Sequence, residues 1–147
     1  MVRSRCALVV VTTLILALAG GCANGVVLDP PTPDGPRLTR LEARPVESMV
    51  GCPVELVFAF DAGPDDVSQA VAAWSRRLGR GGGEGRAILD VPAEAFADHR
   101  HGEAAARVVP KQSGRYVYFV QVEDRGGRKS NVLQTVVSVA GWWGGGC

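Results

Sequence analysis

The chain has 147 residues, 46% of them hydrophobic and 21% charged, with 16 Lys and Arg against 15 Asp and Glu. That length allows one ordinary domain, and near-neutrality excludes a polybasic membrane arm or a nucleic-acid binder that works by neutralising phosphates. Nineteen Gly and nine Pro suit a turn-rich β domain better than a helical bundle, and the four Cys show no metal-ligand spacing.

Residues 1–21 read as a signal peptide. Met1 to Arg5 is a short basic start, and Cys6 to Ala19 is apolar but for Thr12 and Thr13. Ala19-Gly20-Gly21-Cys22 then closes the segment with small residues. A basic start, an apolar run and small residues make a secretory leader. The apolar run of about fourteen residues is short of the roughly twenty that cross a bilayer. A plain secretory signal does not need Cys directly after the small residues. This run resembles the lipobox of bacterial lipoproteins, in which that Cys becomes the lipidated first residue of the mature chain; here it is Cys22. It departs from the favoured pattern at Ala19, where Leu is commoner. The resemblance implies a membrane partner held through acyl chains on Cys22, since two or more chains anchor stably. It implies a cell-envelope location with the domain outside the cytoplasm. Ala23 rather than Asp after the Cys points to the outer membrane in a bacterium that has one.

Residues 22–37 follow as a tether. Four Pro and two Gly between Ala23 and Arg37 deny helix and central strand, and predict a semi-extended linker. The globular part is residues 38–141. Val54 to Phe60 alternates, with Val54, Leu56, Phe58 and Phe60 on one face. Asp61 to Asp66 is a Gly-Pro turn. Asp66 to Leu78 reads either as an Ala-rich helix or as a strand; its Gly/Asp-flanked setting favours strand. Arg80 to Arg86 is a Gly-rich turn, predicted to be a mobile hairpin tip. Pro92 to His99 reads as a short helical turn between sheets. Tyr116 to Val122 alternates with Tyr116, Tyr118, Val120 and Val122 on one face, and Asn131 to Val139 is a β-branched last strand, with Glu123 to Ser130 as the hairpin loop between them. The fold class is therefore all-β, a single antiparallel sandwich.

The run Gly51-x-x-Val54-x-Leu56-x-Phe58-x-Phe60-Asp61, then Asp66-Val67, Trp74 and Ser113-Gly114-x-Tyr116-x-Tyr118, resembles immunoglobulin-like and fibronectin-type-III-like bacterial domains. Val122-x-Asp124-x-x-Gly127-x-x-Ser130-Asn131 is similar to the last hairpin of such modules. The resemblance covers about Leu38 to Val139. It implies a sandwich of about seven strands, with Tyr116 in the slot of a tyrosine corner and Trp74 in that of the buried core Trp. Phe58 and Tyr118 stand where antibody domains carry their inter-sheet Cys pair, so aromatic packing must replace that staple. Such a fold is nearly silent on function.

Several groups invite chemistry. Cys52 precedes the second strand and Cys147 follows the last, at the same end of a seven-strand sandwich, so they can form a disulfide in an exported chain; a terminal Cys after Gly144-Gly145-Gly146 can also stay free or pair between chains. Asp61, Asp65, Asp66, Glu123 and Asp124 lie on two loops that share one end; they suit Ca²⁺ ligation or, more simply, turn capping. His99 and His101 lack a third ligand or a placed nucleophile and read as a solvated loop. The Gly run lacks the Lys-Ser/Thr of a phosphate loop. Trp142 and Trp143 read as a plug over the sandwich end or as an exposed pair for sugar or membrane contact. If Tyr116 and Tyr118 point inward, then Val117 and Phe119 point out, and Val71 joins them on the sheet of the third, sixth and seventh strands. That apolar outer face is the predicted contact surface for a protein partner or, less favoured, a glycan. The expected function is a non-catalytic binding or structural module with no cofactor and no nucleic acid. Its alternatives are an accessory subunit of an envelope or secretion complex, or a small exported enzyme built on the His99/His101 loop.

Overall fold

A computed structural model describes residues 28–97, 99–141 and 147. Eight strands form two sheets: β1 (Arg37–Arg44), β2 (Glu47–Met49), β3 (Val54–Asp61), β4 (Val67–Leu78), β5 (Gly81–Ile88), β6 (His101–Val108), β7 (Gly114–Asp124) and β8 (Leu133–Ala140). One sheet has the order β1-β3-β6 and the other β2-β8-β7-β4-β5. The all-β sandwich expected from the sequence is thus the fold. It has eight strands rather than seven because the first strand is split. After the cis Arg44–Pro45 peptide the chain changes sheet, and β2 runs parallel to β8 while β1 stays antiparallel to β3.

Alternation places the core. Val54, Leu56, Phe58 and Phe60 on β3 are almost wholly buried and meet Tyr116, Tyr118, Val120 and Val122 of β7 in one cluster. Each such side chain contributes roughly 1.5–3 kcal/mol by leaving water. The segment between β5 and β6 forms one 3-10 turn, Ala93–Ala95, as the sequence suggested, and drops Phe96 between the sheets. Phe96 packs edge-on against Phe60, with ring centroids 5.7 Å apart, and against Phe58 at 6.4 Å. Tyr116 stacks on Tyr118, and its hydroxyl donates to the Gln112 carbonyl at 2.9 Å, the geometry of a tyrosine corner. Aromatic packing therefore replaces the inter-sheet disulfide, in two clusters rather than one.

The ambiguous Asp66–Leu78 segment is a strand, hydrogen-bonded on both sides, to β5 and to β7. Pairing on two edges outweighs the helical preference of its alanines. Three expectations need correction. The Gly run is not a loop: Gly81 to Gly85 belongs to β5, and the turn is confined to Gly79 and Arg80. Glycine is needed there because a Cβ on Gly85 would sit 2.5 Å from the Trp74 ring and one on Gly82 would sit 2.8 Å from the Arg76 carbonyl. Trp74 itself is only half-buried, lying over Gly85 at the rim of the core with its ring 5.7 Å from that of Tyr116. Third, the part of the tether from Leu28 to Pro36 is not free; it is hydrogen-bonded to the domain. Cys52 and Cys147 are joined by a disulfide spanning 95 residues, at the end of the sandwich where β3 begins and β8 finishes.

Candidate functional site

The five-stranded sheet has an outer face built from alternate residues of four strands. Its rows follow the register. Val71 lies beside Gln121 and Ile88, Ala73 beside Phe119 and Arg86, Ser75 beside Val117 and Glu84, and Arg77 beside Arg115 and Gly82. On the far side Phe119 meets Gln134 and Val117 meets Val136. The predicted parity holds, and the three residues expected on this face share it.

They do not share the same environment. Gln121 points outward yet is only 3% exposed, because an extended segment crosses this end of the sheet. The Gln121 amide donates to the Asp29 carbonyl at 2.8 Å and to the Ser130 carbonyl at 2.9 Å. The Lys129 ammonium donates to the Asp29 carboxylate at 2.6 Å, and Arg86 lies 3.6 Å from it. Thr32 exchanges two further hydrogen bonds with Lys129: its amide donates to the carbonyl at 2.9 Å, and its hydroxyl accepts from the amide at 3.1 Å. The hydrogen bond from Lys129 holds the Asp29 carboxyl below its ordinary pKa, followed by the charge attraction of Lys129 and a smaller contribution from Arg86. Val71, in the same row as Gln121, is 8% exposed. The expectation that Val71 is free for a partner is therefore corrected: Val71 and Gln121 are buried, and only Ile88, at the edge of the same row, is exposed, at 69%.

The other end stays open. Phe119, Val117 and Val136 are half-buried around the fully buried Ala73. Beside them lies a groove of about 840 Å³ floored by Phe119 and lined by Ser75, Arg76, Arg77, Arg80, Glu84 and the glycines of β5. Arg76 is steadied by donating to the Ser113 carbonyl at 3.0 Å. Among the described residues neither Arg77 nor Arg80 has a carboxylate within ion-pair distance. The sequence reading overlooked this cationic rim, although Arg76-Arg77 and Arg80 directly precede the Gly run that was singled out.

The remaining candidates are placed as follows. The acidic loops do share one end, where Asp65, Asp66 and Asp124 face arginine, Asp61 faces His101, and the Glu123 carboxylate has no ion-pair partner among the described residues. Asp124 is buried and accepts from the Arg128 amide at 2.9 Å and from its Nε at 2.8 Å, while Arg128 also pairs with Asp65. Burial alone raises the Asp124 pKa, yet the hydrogen bonds and charge of Arg128 outweigh it and the carboxyl ends below its ordinary value. Arg125 approaches Asp66 at 4.0 Å, and His101 lies 2.7 Å from Asp61 through Nδ1 on an exposed strand end. His99 is exposed nearby. Among the described residues no group of three or more His, Cys, Asp or Glu converges to hold a metal ion. A smaller apolar crevice of about 390 Å³ opens between the sheets, lined by Trp74, Tyr116, Tyr118, Leu89 and Val108. Burial, followed by the charge of Tyr116, pushes the Tyr118 phenol well above its ordinary pKa, so it stays a neutral hydrogen-bonding group. Cys22, Asp98, Trp142 and Trp143 lie outside the described residues. Among the described residues no helix is long and apolar enough to cross a membrane.

No protein-family model matches the sequence, and no curated protein does. Solved structures share the overall arrangement at low identity. A sporulation control protein of Bacillus subtilis, Spo0M, is 9% identical, with a TM-score of 0.47 over 71% of this chain and 49% of its own. The chain thus spans about half the length of that protein. A cohesin module of a family 33 glycoside hydrolase from Clostridium perfringens is 13% identical, with a TM-score of 0.45 over 75% of this chain and 100% of that module. A PKD domain of an M14-like peptidase from a Thermoplasmatales archaeon is 16% identical, with a TM-score of 0.43 over 77% of this chain and 98% of that domain. Nothing about binding or catalysis is carried over from them.

Proposed function

We propose that this chain is a cell-envelope lipoprotein, anchored through Cys22, whose immunoglobulin-like sandwich is a non-catalytic module that binds a protein partner. The observation that carries the reading is the less covered half of the outer face: Phe119, Val117 and Val136 close together, each half-buried, next to a groove rimmed by Arg77 and Arg80. A sheet whose solvent side keeps an apolar strip normally has something on it. Asp65, Asp66 and Asp124 at the acidic loop end are engaged by Arg128 and Arg125, which supports binding over catalysis there.

A photo-crosslinking residue at position 119, introduced into the full chain in intact cells, tests the face. The expected result is a discrete crosslinked protein that disappears when Val117 is changed to Lys. Absence of any crosslink, with the protein folded and present in the envelope, refutes it. Anchoring has its own measurement: mass spectrometry of the mature N-terminus is expected to find acylated Cys22. An unmodified N-terminus at another residue refutes the lipoprotein reading.

A further inference from the structure

The structure carries an inference about what the partner presents, and it rests on the reading of this domain as an interaction module. β5 is the last strand of its sheet. An edge strand offers unpaired backbone N–H and C=O groups, and natural proteins usually blunt such an edge with Lys, Pro or a covering segment. β5 has none of these at its first half, where Gly81, Gly82 and Gly83 leave the backbone bare. The groove beside these glycines reaches Phe119, and the charges on the outer side are Arg77 and Arg80 against Glu84, the Arg76 guanidinium lying on the side of Trp74. We propose that β5 accepts an extended acidic segment of a partner protein as an added strand, with backbone pairing along the edge and carboxylates on Arg77 and Arg80.

Three observations favour this occupant. First, the sheet already binds a carboxylate of an extended segment, though across its face and not along its edge: Asp29 sits there against Lys129 and Arg86. Second, among the described residues neither Arg77 nor Arg80 has a carboxylate within ion-pair distance, so the rim presents uncompensated positive charge. Third, the edge of a second copy would offer Arg80 and Arg86 with one Glu84, so it lacks the acidic side chains that Arg77 and Arg80 would take. Backbone hydrogen bonds would supply affinity, and the arginine rim would supply the choice of acidic side chains.

The test uses the full chain in detergent and a fluorescein-labelled peptide of alternating Glu and Val, long enough to span β5, read by anisotropy. Two comparisons isolate the two components. The same peptide with alternate backbone amides N-methylated keeps its charge and loses strand pairing. Arg77→Glu with Arg80→Glu keeps the edge and reverses the rim, and Arg107→Glu on the other sheet serves as the charge control. The expected result is binding that weakens about tenfold or more in each of the first two cases, is retained in the control, and falls with added salt. Equal binding of the methylated peptide, or no loss on reversing the rim, overturns the proposal. So does failure of the peptide to bind while phosphatidylglycerol vesicles bind, or a dimer in sedimentation that the rim reversal strengthens. The crosslink from position 119 separates this from the broader reading: if it persists unchanged in the rim-reversed chain, the domain binds a partner but not through an acidic strand at β5.

Discussion

The disulfide is the feature whose removal has the most calculable consequence. Cys147→Ser opens a loop closed over 95 residues. In the chain-entropy description, freeing that loop costs about 4.7 kcal/mol at 25 °C, less any native strain. The choice of Cys147 matters. Its side chain is exposed, so serine there adds no burial cost, whereas Cys52 is 7% exposed and a serine in its place buries a hydroxyl. For a domain of this size the loss corresponds to a melting temperature lower by roughly 15–20 °C. Thermal unfolding followed by circular dichroism is the assay, on the parent with and without reductant and on the variant without it. The reduced parent and the Cys147→Ser protein are expected to coincide, both well below the oxidised parent, with unchanged far-ultraviolet spectra. If the variant melts with the oxidised parent, or if both parent thiols alkylate without reduction, the reasoning fails. A variant that melts low while reduction of the parent does nothing would place the effect in the side chain and not in the crosslink.

Two further perturbations probe packing and charge. A Cβ added at Gly102 would lie 2.3 Å from the tip of Phe60, a ring 1% exposed, so Gly102→Ala is expected to destabilise by about 1–3 kcal/mol in chemical denaturation; an unchanged midpoint would remove the claim that Phe60 lies against the β6 backbone. Asp124 and Asp29 both have carboxyls held below their ordinary values, so their share of stability is present at neutral pH and is lost as pH falls through the folded values, below about pH 4. Arg128→Ala removes the side-chain hydrogen bond and the charge that offset the burial of Asp124, keeping only backbone donors, so the carboxyl pKa rises from its depressed value. The variant is then expected to be less stable than the parent at neutral pH and to lose less of its stability on acidification to about pH 3, and superimposable pH profiles would show that Arg128 does not hold that carboxyl.

What could be read from the sequence follows the strength of alternation. β3 and β7 carry large apolar residues at every second position, and their core faces were legible to the residue. β5 and β6 were not, because Gly81-Gly82-Gly83 and Ala104-Ala105-Ala106 have poor strand preference. Other small residues of the same strands are dictated by their neighbours: Phe60 lies over Gly102 of β6, and Trp74 over Gly85 of β5. The pairing of Cys52 with Cys147 was legible from which strand ends share an end of a sandwich. The outer face was half legible. Parity placed Val71, Val117 and Phe119 on one side, but nothing in a Pro-rich stretch announces that it will pack. Its anchoring depends on side chains, the Asp29 carboxylate and the Thr32 hydroxyl, with Lys129 and Gln121 ninety or more positions away.

That docking changes how the domain would sit if Cys22 is the anchor. The sequence alone suggested that residues 22–37 lift the domain off the surface. With Leu28 to Pro36 bound along the sandwich, only six residue steps separate Cys22 from Leu28, whatever path they take. Six steps span at most about 20 Å. Asp29 lies near Lys129, at the end of the sandwich that also carries Asp65, Asp124 and Arg128, whereas Cys52 and Cys147 mark the opposite end. An eight-residue strand is about 26 Å long, so the disulfide end is held roughly a strand length further from the attachment point. The expectation is that, in nanodiscs carrying spin-labelled lipid headgroups, the amides of Gly126, Arg128 and Lys129 broaden most and those of Gly51 and Cys52 least. Lys129→Ala with Asp29→Ala frees the docked segment and is expected to flatten that gradient. Strongest broadening at Cys52 in the parent would refute the short leash, and an unchanged gradient in the double variant would show that the docked segment does not set the distance.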